Sequence, residues 1–434
     1  MLKKSAVFII CAGLTCQPVF ASRLVENALV TQAGQELDSA KALLIKTVNI
    51  NSGTMNFAGV KKVGEILRDE YDALGFKTEW VDGSEFNRAG HLVATYESKT
   101  HPKGQKLLLI GHLDTVFAKN DSFQQTKEIN SEHIAGPGIS DMKGGNVIML
   151  AAIKSLKAQG MLQRLNIKVV LTGDEESSGR PLAKSKKALI DAAIWADVAL
   201  GFEDADGDIQ TAVTARRGAA TWQVSTSGNA AHSSQIFTDK VGDGAIFEMA
   251  RILQAFRLQL ADLPLLSFNP GVIAGGTRVD QSNGGDDVSA FGKTNVVAQN
   301  ATVKGGLRAA STEQLIQAQK IMQNIVGQHL AQTNATFSFD EGYPPMKETK
   351  GNKSLLAQYS QVSVDLGYGP VTAVNPRNAG AADISFTAGH VKMAIDGLGL
   401  MGKGGHTKDE VADMTTFKQN IEKTAVLMYR LSNP

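Results

Sequence analysis

Leu107-Leu108-Leu109-Ile110-Gly111-His112-Leu113-Asp114-Thr115 opens apolar without a break and closes polar. Four consecutive aliphatic residues bounded by a glycine predict a strand buried on both faces, the kind found inside parallel sheets. In an extended segment alternate side chains share a face, so His112 and Asp114 project together beyond the carboxyl end of that strand. The same design recurs downstream. Ile167 to Leu171 is apolar and leads to Asp174, Glu175 and Glu176; Val198 to Leu200 leads to Glu203. Between the first two strands a helix begins just after Asp141 and continues through Asn146–Leu156. Upstream, Phe57, Val60, Val63, Leu67, Tyr71 and Leu74 fall at helical spacing with Gly75 as a stop, and His91 to Tyr96 reads as a short strand. Apolar strand, polar tip and helix, repeated, predict an α/β domain with a mixed, largely parallel sheet. Such folds place ligands beyond the carboxyl ends of their strands, where all the acids just named stand.

The pattern changes near Thr214. Thr221 to Thr226 alternates, with Trp222 and Val224 on one side; Asn295 to Leu307 alternates through Val303 and Leu307, and Ala335 to Phe339 through Phe337 and Phe339. Alternation signifies sheets with one wet face. Helical stretches at Ala245–Leu260 and Thr312–Leu330 separate them. The expectation is an inserted α+β domain over residues 215–340, dividing the first domain into 22–214 and 341–434. Gly342-Tyr343-Pro344-Pro345 marks the return, and helices follow at Ser354–Leu366 and Met414–Leu431. The Gly/Ser/Asn/Asp-rich tract Gly275–Asp287 reads as a loop. Gly136, Gly138, Gly144 and Gly145 lack the Gly-Lys-Ser/Thr ending of a phosphate-binding loop, so a nucleotide site is rejected.

Residues 1–21 have the form of a secretory signal peptide. Lys3 and Lys4 precede an apolar run from Ala6 to Leu14, too short for a permanent membrane span, and Val19-Phe20-Ala21 offers small residues for cleavage. A lipid-anchored alternative through Cys16 fits poorly with Leu14 and Thr15 before it. Removal of the leader takes the 44 basic side chains to 42, against 43 acidic ones. Near-neutrality argues against a nucleic-acid partner. Both cysteines, Cys11 and Cys16, leave with it, so no disulfide or thiolate ligand is expected in an exported, periplasmic protein. No later run of about 18 apolar residues predicts a membrane domain.

The chemistry rests on scattered acids and imidazoles. Asp141, in Ser140-Asp141-Met142-Lys143-Gly144-Gly145, is either a helix N-cap or a carboxylate that bridges two cations. Glu175 and Glu176 repel each other at a buried strand end unless something positive compensates. His406 lies far off, in Gly402-Lys403-Gly404-Gly405-His406. Each residue alone has the plainer reading of a solvated side chain. As a set they suit a two-metal site, and oxygen and imidazole donors without sulfur suit zinc, cobalt or manganese.

Taken in order, His112-Leu113-Asp114, Ser140-Asp141-Met142-Lys143-Gly144, Gly173-Asp174-Glu175-Glu176, Gly201-Phe202-Glu203 and the His406 loop resemble the motifs of the M20 metallopeptidase family, most closely its glutamate carboxypeptidase (carboxypeptidase G) branch. The resemblance implies that Asp141 bridges two divalent metal ions, that His112 and Glu203 complete one and Glu176 and His406 the other, and that zinc is the metal, with cobalt or manganese as alternatives. It implies Glu175 as general base and Asp114 as the group that orients His112. Residues 215–340 are similar to the family's lid, which dimerises many members. Gly228-Asn229-Ala230-Ala231-His232-Ser233 matches its histidine motif, which implies that His232 holds the oxyanion at the active site of a partner subunit in a homodimer. Asn295 and Arg308 match lid positions that contact the substrate carboxylate. The expected activity is a carboxypeptidase that hydrolyses the amide next to a C-terminal carboxylate in a small peptide. An N-acyl-amino-acid amidohydrolase and a non-catalytic metal-binding protein are the alternatives.

Overall fold

The computed structural model describes residues 17–432. The leader expected at 1–21 lies outside the described residues except for 17–21, which open a long helix, α1 (Gln17–Val48). The next helix, α2 (Phe57–Leu74), is capped as its sequence requires. The Asn56 side chain accepts from the Gly59 N–H, and Gly75 turns left-handed at φ 91°, a conformation that costs glycine nothing.

A six-stranded sheet forms the centre. Its strands are β1 (Lys77–Asp82), β2 (Gly90–Tyr96), β3 (Lys106–His112), β4 (Asn166–Thr172), β5 (Val198–Gly201) and the short strand Met393–Ile395, in the order β1-β2-β4-β3-β5 with Met393–Ile395 at the far edge. Why the run 107–110 must be apolar throughout is now plain. Leu107 and Leu109 pack with α1, α2 and the helices α3 (Gly144–Ala158) and α7 (Thr415–Leu431). Leu108 and Ile110 face the opposite layer, with Leu189, Ala192 and Ala193 of α4 (Lys187–Trp195) and with Ile384 and Phe386. All four are buried, and truncating any one to alanine would cost about 2–5 kcal/mol.

The expectation of a largely parallel sheet needs correction. β3, β4, β5 and Met393–Ile395 are parallel to one another, but β1 and β2 run antiparallel at the other edge. A short connection between consecutive strands brings the second back alongside the first, whereas a parallel pair needs a crossover such as α3. With the second sheet included, the molecule's strand pairings are mostly antiparallel.

That second sheet is built from β6 (Gly218–Gly228), β7 (Ser267–Gly276), β8 (Asn300–Ala309) and β9 (Thr333–Glu341), in the order β7-β8-β6-β9 and antiparallel throughout. Trp222, Val224, Val303 and Leu307 point inward onto Met249, Ile252 and Phe256 of α5 (Ala245–Leu260) and Met322 of α6 (Thr312–Val326), a core separate from that of the central sheet. Trp222 meets Phe256 edge to face at 5.6 Å and donates its indole N–H to Gly306. The tract Gly275–Asp287, read as a loop, instead carries half of a hairpin: Arg278–Ser282 pairs with Asp287–Phe291. Gly284 and Gly285 supply the positive φ values that so tight a reversal needs.

The two connections between the sheets lie side by side. The Ala219 N–H donates to Tyr343 and the Gly342 N–H to Ala219, while Arg216 and Met346 exchange both of their backbone hydrogen bonds. Residues 216–219 and 342–346 thus form a narrow ribbon between the units. Among the described residues no helix is long and apolar enough to cross a membrane.

Candidate metal centre

Five ligand-type side chains converge beyond the carboxyl ends of the parallel strands. His112 ends β3, Glu203 follows β5, Glu176 follows β4, Asp141 precedes α3, and His406 comes from a distant loop. His112 Nε2 lies 3.1 Å from Asp141 Oδ1 and 3.5 Å from Glu203 Oε1. His406 Nε2 lies 3.0 Å from Asp141 Oδ2 and 3.1 Å from Glu176 Oε2. These are two triads, His112–Asp141–Glu203 and Asp141–Glu176–His406, each with its donor atoms within 4.8 Å of one another. Asp141 serves both, one oxygen to each. Glu203, and not its neighbour Asp204, is the acid that joins His112.

The surroundings explain how the chain reaches this geometry. The peptide between Asp141 and Met142 is cis, and Asp141 is held from behind by Glu410. The Glu410 carboxylate accepts the N–H groups of Gly138 at 2.8 Å, Ser140 at 2.9 Å and Asp141 at 3.2 Å. The glycines after Lys143 serve packing. A Cβ on Gly145 would stand 1.9 Å from the carbonyl oxygen of Phe202, so the start of α3 rests directly on the strand end that presents Glu203. His406 adopts the left-handed region, φ 63°.

Asp114 differs in detail from its expected part. His112 Nδ1 lies 2.9 Å from the backbone carbonyl of Asp114 and 3.5 Å from its carboxylate. The carboxylate instead accepts the N–H groups of Glu175 at 3.1 Å and Glu176 at 3.2 Å, and the Thr54 hydroxyl at 2.6 Å. Below, Lys186 is fully buried between Asp174 at 2.8 Å and Asp383 at 3.0 Å. On the other flank Arg216 forks onto Asp396 at 2.9 Å, and Asp396 accepts the Glu203 N–H at 3.2 Å. Sequence reasoning did not find Glu410, Lys186, Asp383, Arg216 or Asp396. Only Glu410 left a trace, an acid in the same loop as His406.

The electrostatics test whether metal fits. Burial pushes Glu175 and Glu203 well above the ordinary carboxylate range and Glu176 up to about 7. Burial opposes charge on His112 as well, yet Glu203, Asp114 and Asp141 together hold its pKa well above the ordinary imidazole value. Hydrogen bonds to Asp141 and Glu176 lift His406 to about 11. So many acids in so little water repel one another unless cations intervene. Asp141, Glu176 and Glu203 contribute three negative charges, which two divalent cations exceed by one. Donors that are all carboxylate or imidazole suit zinc, cobalt or manganese. The residues fit a dinuclear divalent-metal site.

His232, Asn295 and Arg308 lie on the inserted unit, all exposed. His232 bonds Ser234 at 2.8 Å and its segment pairs with that of Asn295 through the Ser233 N–H. Arg308 sits on β8 opposite Ser267 and Ala219. Among the described residues none of the three bonds to the metal ligands of its own chain.

An α/β unit with two metal sites sharing one carboxylate at its strand ends, and an accessory unit inserted between its halves, defines a dinuclear metal-dependent hydrolase. The chain belongs to peptidase family M20/M25/M40, whose sequence profile matches residues 108–433. It is 26% identical to carboxypeptidase G2 of Pseudomonas sp. (strain RS-16) over 412 residues, 94% of this chain and 92% of that one. A probable succinyl-diaminopimelate desuccinylase of Staphylococcus aureus (strain MRSA252) is 28% identical over 203 residues, 45% of this chain and 46% of its own. Among solved structures, aminopeptidase PepT of Bacillus cereus ATCC 10987 superposes with a TM-score of 0.72 at 18% identity, covering 92% of this chain and 99% of that one. At that identity the likeness concerns the fold.

Proposed function

We propose that this hydrolase is a zinc carboxypeptidase that cleaves the amide bond next to a free carboxylate, in a small peptide or an N-acyl amino acid. The reading rests above all on Arg308, an exposed guanidinium on a strand of the inserted unit. A planar fork can take both oxygens of a carboxylate. The similarity to carboxypeptidase G2 along nearly the whole chain supports the same choice and favours release of glutamate.

Bound cations would polarise the scissile carbonyl and lower the pKa of water. Glu175 takes the proton from the attacking water and passes it to the leaving nitrogen, acting as base and then as acid. Asp114 keeps Glu175 and Glu176 in place through their N–H groups. His232 of a second copy donates to the oxygen that gains charge, a contribution of about 3 kcal/mol for such a donor. Self-association is supported by the apolar residues exposed on the lid: Phe237 and Phe247, 5.6 Å apart, with Ile246 beside Gly275 of β7. Export through residues 1–21 belongs to the same proposal.

The test compares N-acyl-glutamate and dipeptide substrates with their C-terminally amidated forms, using zinc-loaded protein. Free acids should be cleaved and amides poorly. Arg308→Ala should raise KM for the acids by about a hundredfold, the worth of a charge-assisted pair, and leave the amides unaffected. An equal effect on both would refute the carboxylate clamp. Cleavage of N-acyl amino acids without any dipeptide cleavage would make the enzyme an acylase.

A further inference from the structure

The backbone of Glu175 is pinned on both sides of its Cα. Its N–H is held by the Asp114 carboxylate at 3.1 Å, and its carbonyl accepts the phenolic O–H of Tyr343 at 2.6 Å. Asp114 belongs to the metal centre. Tyr343 does not: it comes from the Gly342-Tyr343-Pro344-Pro345 return, and its own carbonyl accepts the Ala219 N–H across the ribbon between the two units. Its ring is fixed independently. It packs against Phe386, with centroids 5.2 Å apart, and lies 5.4 Å from Lys186 Nζ, itself clamped between Asp174 and Asp383. Ser178 donates to its hydroxyl oxygen at 3.2 Å. One side chain therefore joins the ribbon, the buried ion cluster and the residue assigned as general base.

We propose that Tyr343 is a positioning residue for Glu175: its O–H sets the peptide that aims the base, so that the conformation of the ribbon is read directly at the metal centre. The inference rests on the assignment of Glu175 as base and adds a second requirement to it. A base must lie within hydrogen-bond reach of the water whose proton it takes, and a misplacement of about 1 Å is enough to slow a reaction substantially. The Glu175 carbonyl and the Glu176 N–H belong to one planar peptide, held at one edge by Tyr343 and at the other by Asp114; without Tyr343 that plane keeps only the Asp114 anchor and can tilt about it, which shifts Glu175. The Asp114 bond to its N–H and the His406 contact to its carboxylate still hold the ligand Glu176. The loss should therefore fall on turnover and not on metal binding.

Tyr343→Phe removes the hydroxyl and keeps the ring. The expected result is a fall in kcat of about tenfold, the worth of one hydrogen bond, with KM within about twofold, two metal ions still bound per chain by elemental analysis, and an unchanged visible spectrum of the cobalt-loaded protein. In a Glu175→Gln background the same substitution should lower the residual turnover no further, since two groups acting as a unit are not additive. Unchanged kcat in Tyr343→Phe, or a fall matched by loss of metal, or a full tenfold fall persisting in the Glu175→Gln background, would each overturn the positioning role. The two readings fail separately. Full turnover in Glu175→Gln alone removes the base; a crippled Glu175→Gln beside a fully active Tyr343→Phe removes only the positioning.

Discussion

Glu175 and Glu176 are adjacent, both lifted by burial, and yet have different neighbours. Glu176 accepts from His406 at 3.1 Å and belongs to a metal triad; Glu175 belongs to neither. Neutral amides at the two positions should therefore have different consequences. Glu175→Gln is expected to keep both ions and lose turnover by a factor of about 10³, within the range of general-base catalysis. Glu176→Gln is expected to release metal. Elemental analysis beside steady-state kinetics distinguishes them, and a fully active, fully loaded Glu175→Gln would remove the base. The acids and imidazoles that converge stood out in the sequence because most end an apolar strand or lie in a short glycine-rich loop, signals that need only local residues; that they act as one set followed from the resemblance to the M20 motifs, since local spacing cannot show convergence. Glu410, Lys186 and Asp396 did not stand out. Each acts on a partner far away in the chain, as when Glu410 holds Ser140, and local spacing carries no information about which loop folds over which. Asp114 was read for its carboxylate; the turn after β3 brings its carbonyl to the imidazole instead.

At the scale of elements, alternation revealed the strands of the inserted unit because one face of that sheet is covered and the other wet. The hairpin Arg278–Ser282 with Asp287–Phe291 was missed because nothing buries either face, and its residues are mostly exposed. The sequence reading also placed no helix at α1, whose buried side includes small Ala33 and Ala40 beside Leu29 and Leu44, a weak apolar contrast. Within the inserted unit, α5 is tied to the end of α6 by a buried acid. Glu248 accepts from Arg251 at 2.7 Å and 3.0 Å and from the Leu330 N–H at 3.0 Å, and Arg251 also donates to Ile325 and Gln328. Burial pushes the Glu248 carboxyl up, but these hydrogen bonds outweigh it and hold the pKa below its ordinary value. A depressed carboxylate contributes stability that is complete above the ordinary glutamate value of about 4.3 and is lost as pH falls through the lower folded value. Glu248→Gln should therefore destabilise the protein at neutral pH by about 1–2 kcal/mol and flatten the decline in stability below that point. Denaturant titrations at pH 7 and in the acid window measure both effects. Parallel pH curves for the variant and its parent would show that another group governs acid sensitivity.

For the whole molecule, the metal centre opposes folding until it is filled. Folding brings Asp141, Glu175, Glu176 and Glu203 out of water and beside one another, and the three glutamates respond with raised proton affinity. Cations that bind the assembled site and not the unfolded chain reverse this, by about 2.7 kcal/mol for each ion at a hundredfold excess over its Kd. Their ligands are spread from residue 112 to residue 406, so the site cannot exist until β3, β4, β5, the start of α3 and the late loop have all come together. Metal affinity and folding of the central sheet are consequently one equilibrium. The inserted unit keeps a separate core, with none of the candidate ligands found among the described residues in it. Chelation should therefore lower the melting temperature of the central unit by several degrees, on the order expected for a few kcal/mol in a domain of this size. Zinc should restore it in a concentration-dependent manner, and the shift should shrink at acid pH as protons compete for the ligands. Calorimetry of the full chain, with and without chelator, measures this. Identical melting with and without bound zinc, where chelation still abolishes turnover, would mean that the ions enter a scaffold already rigid enough to bear its crowded acids alone.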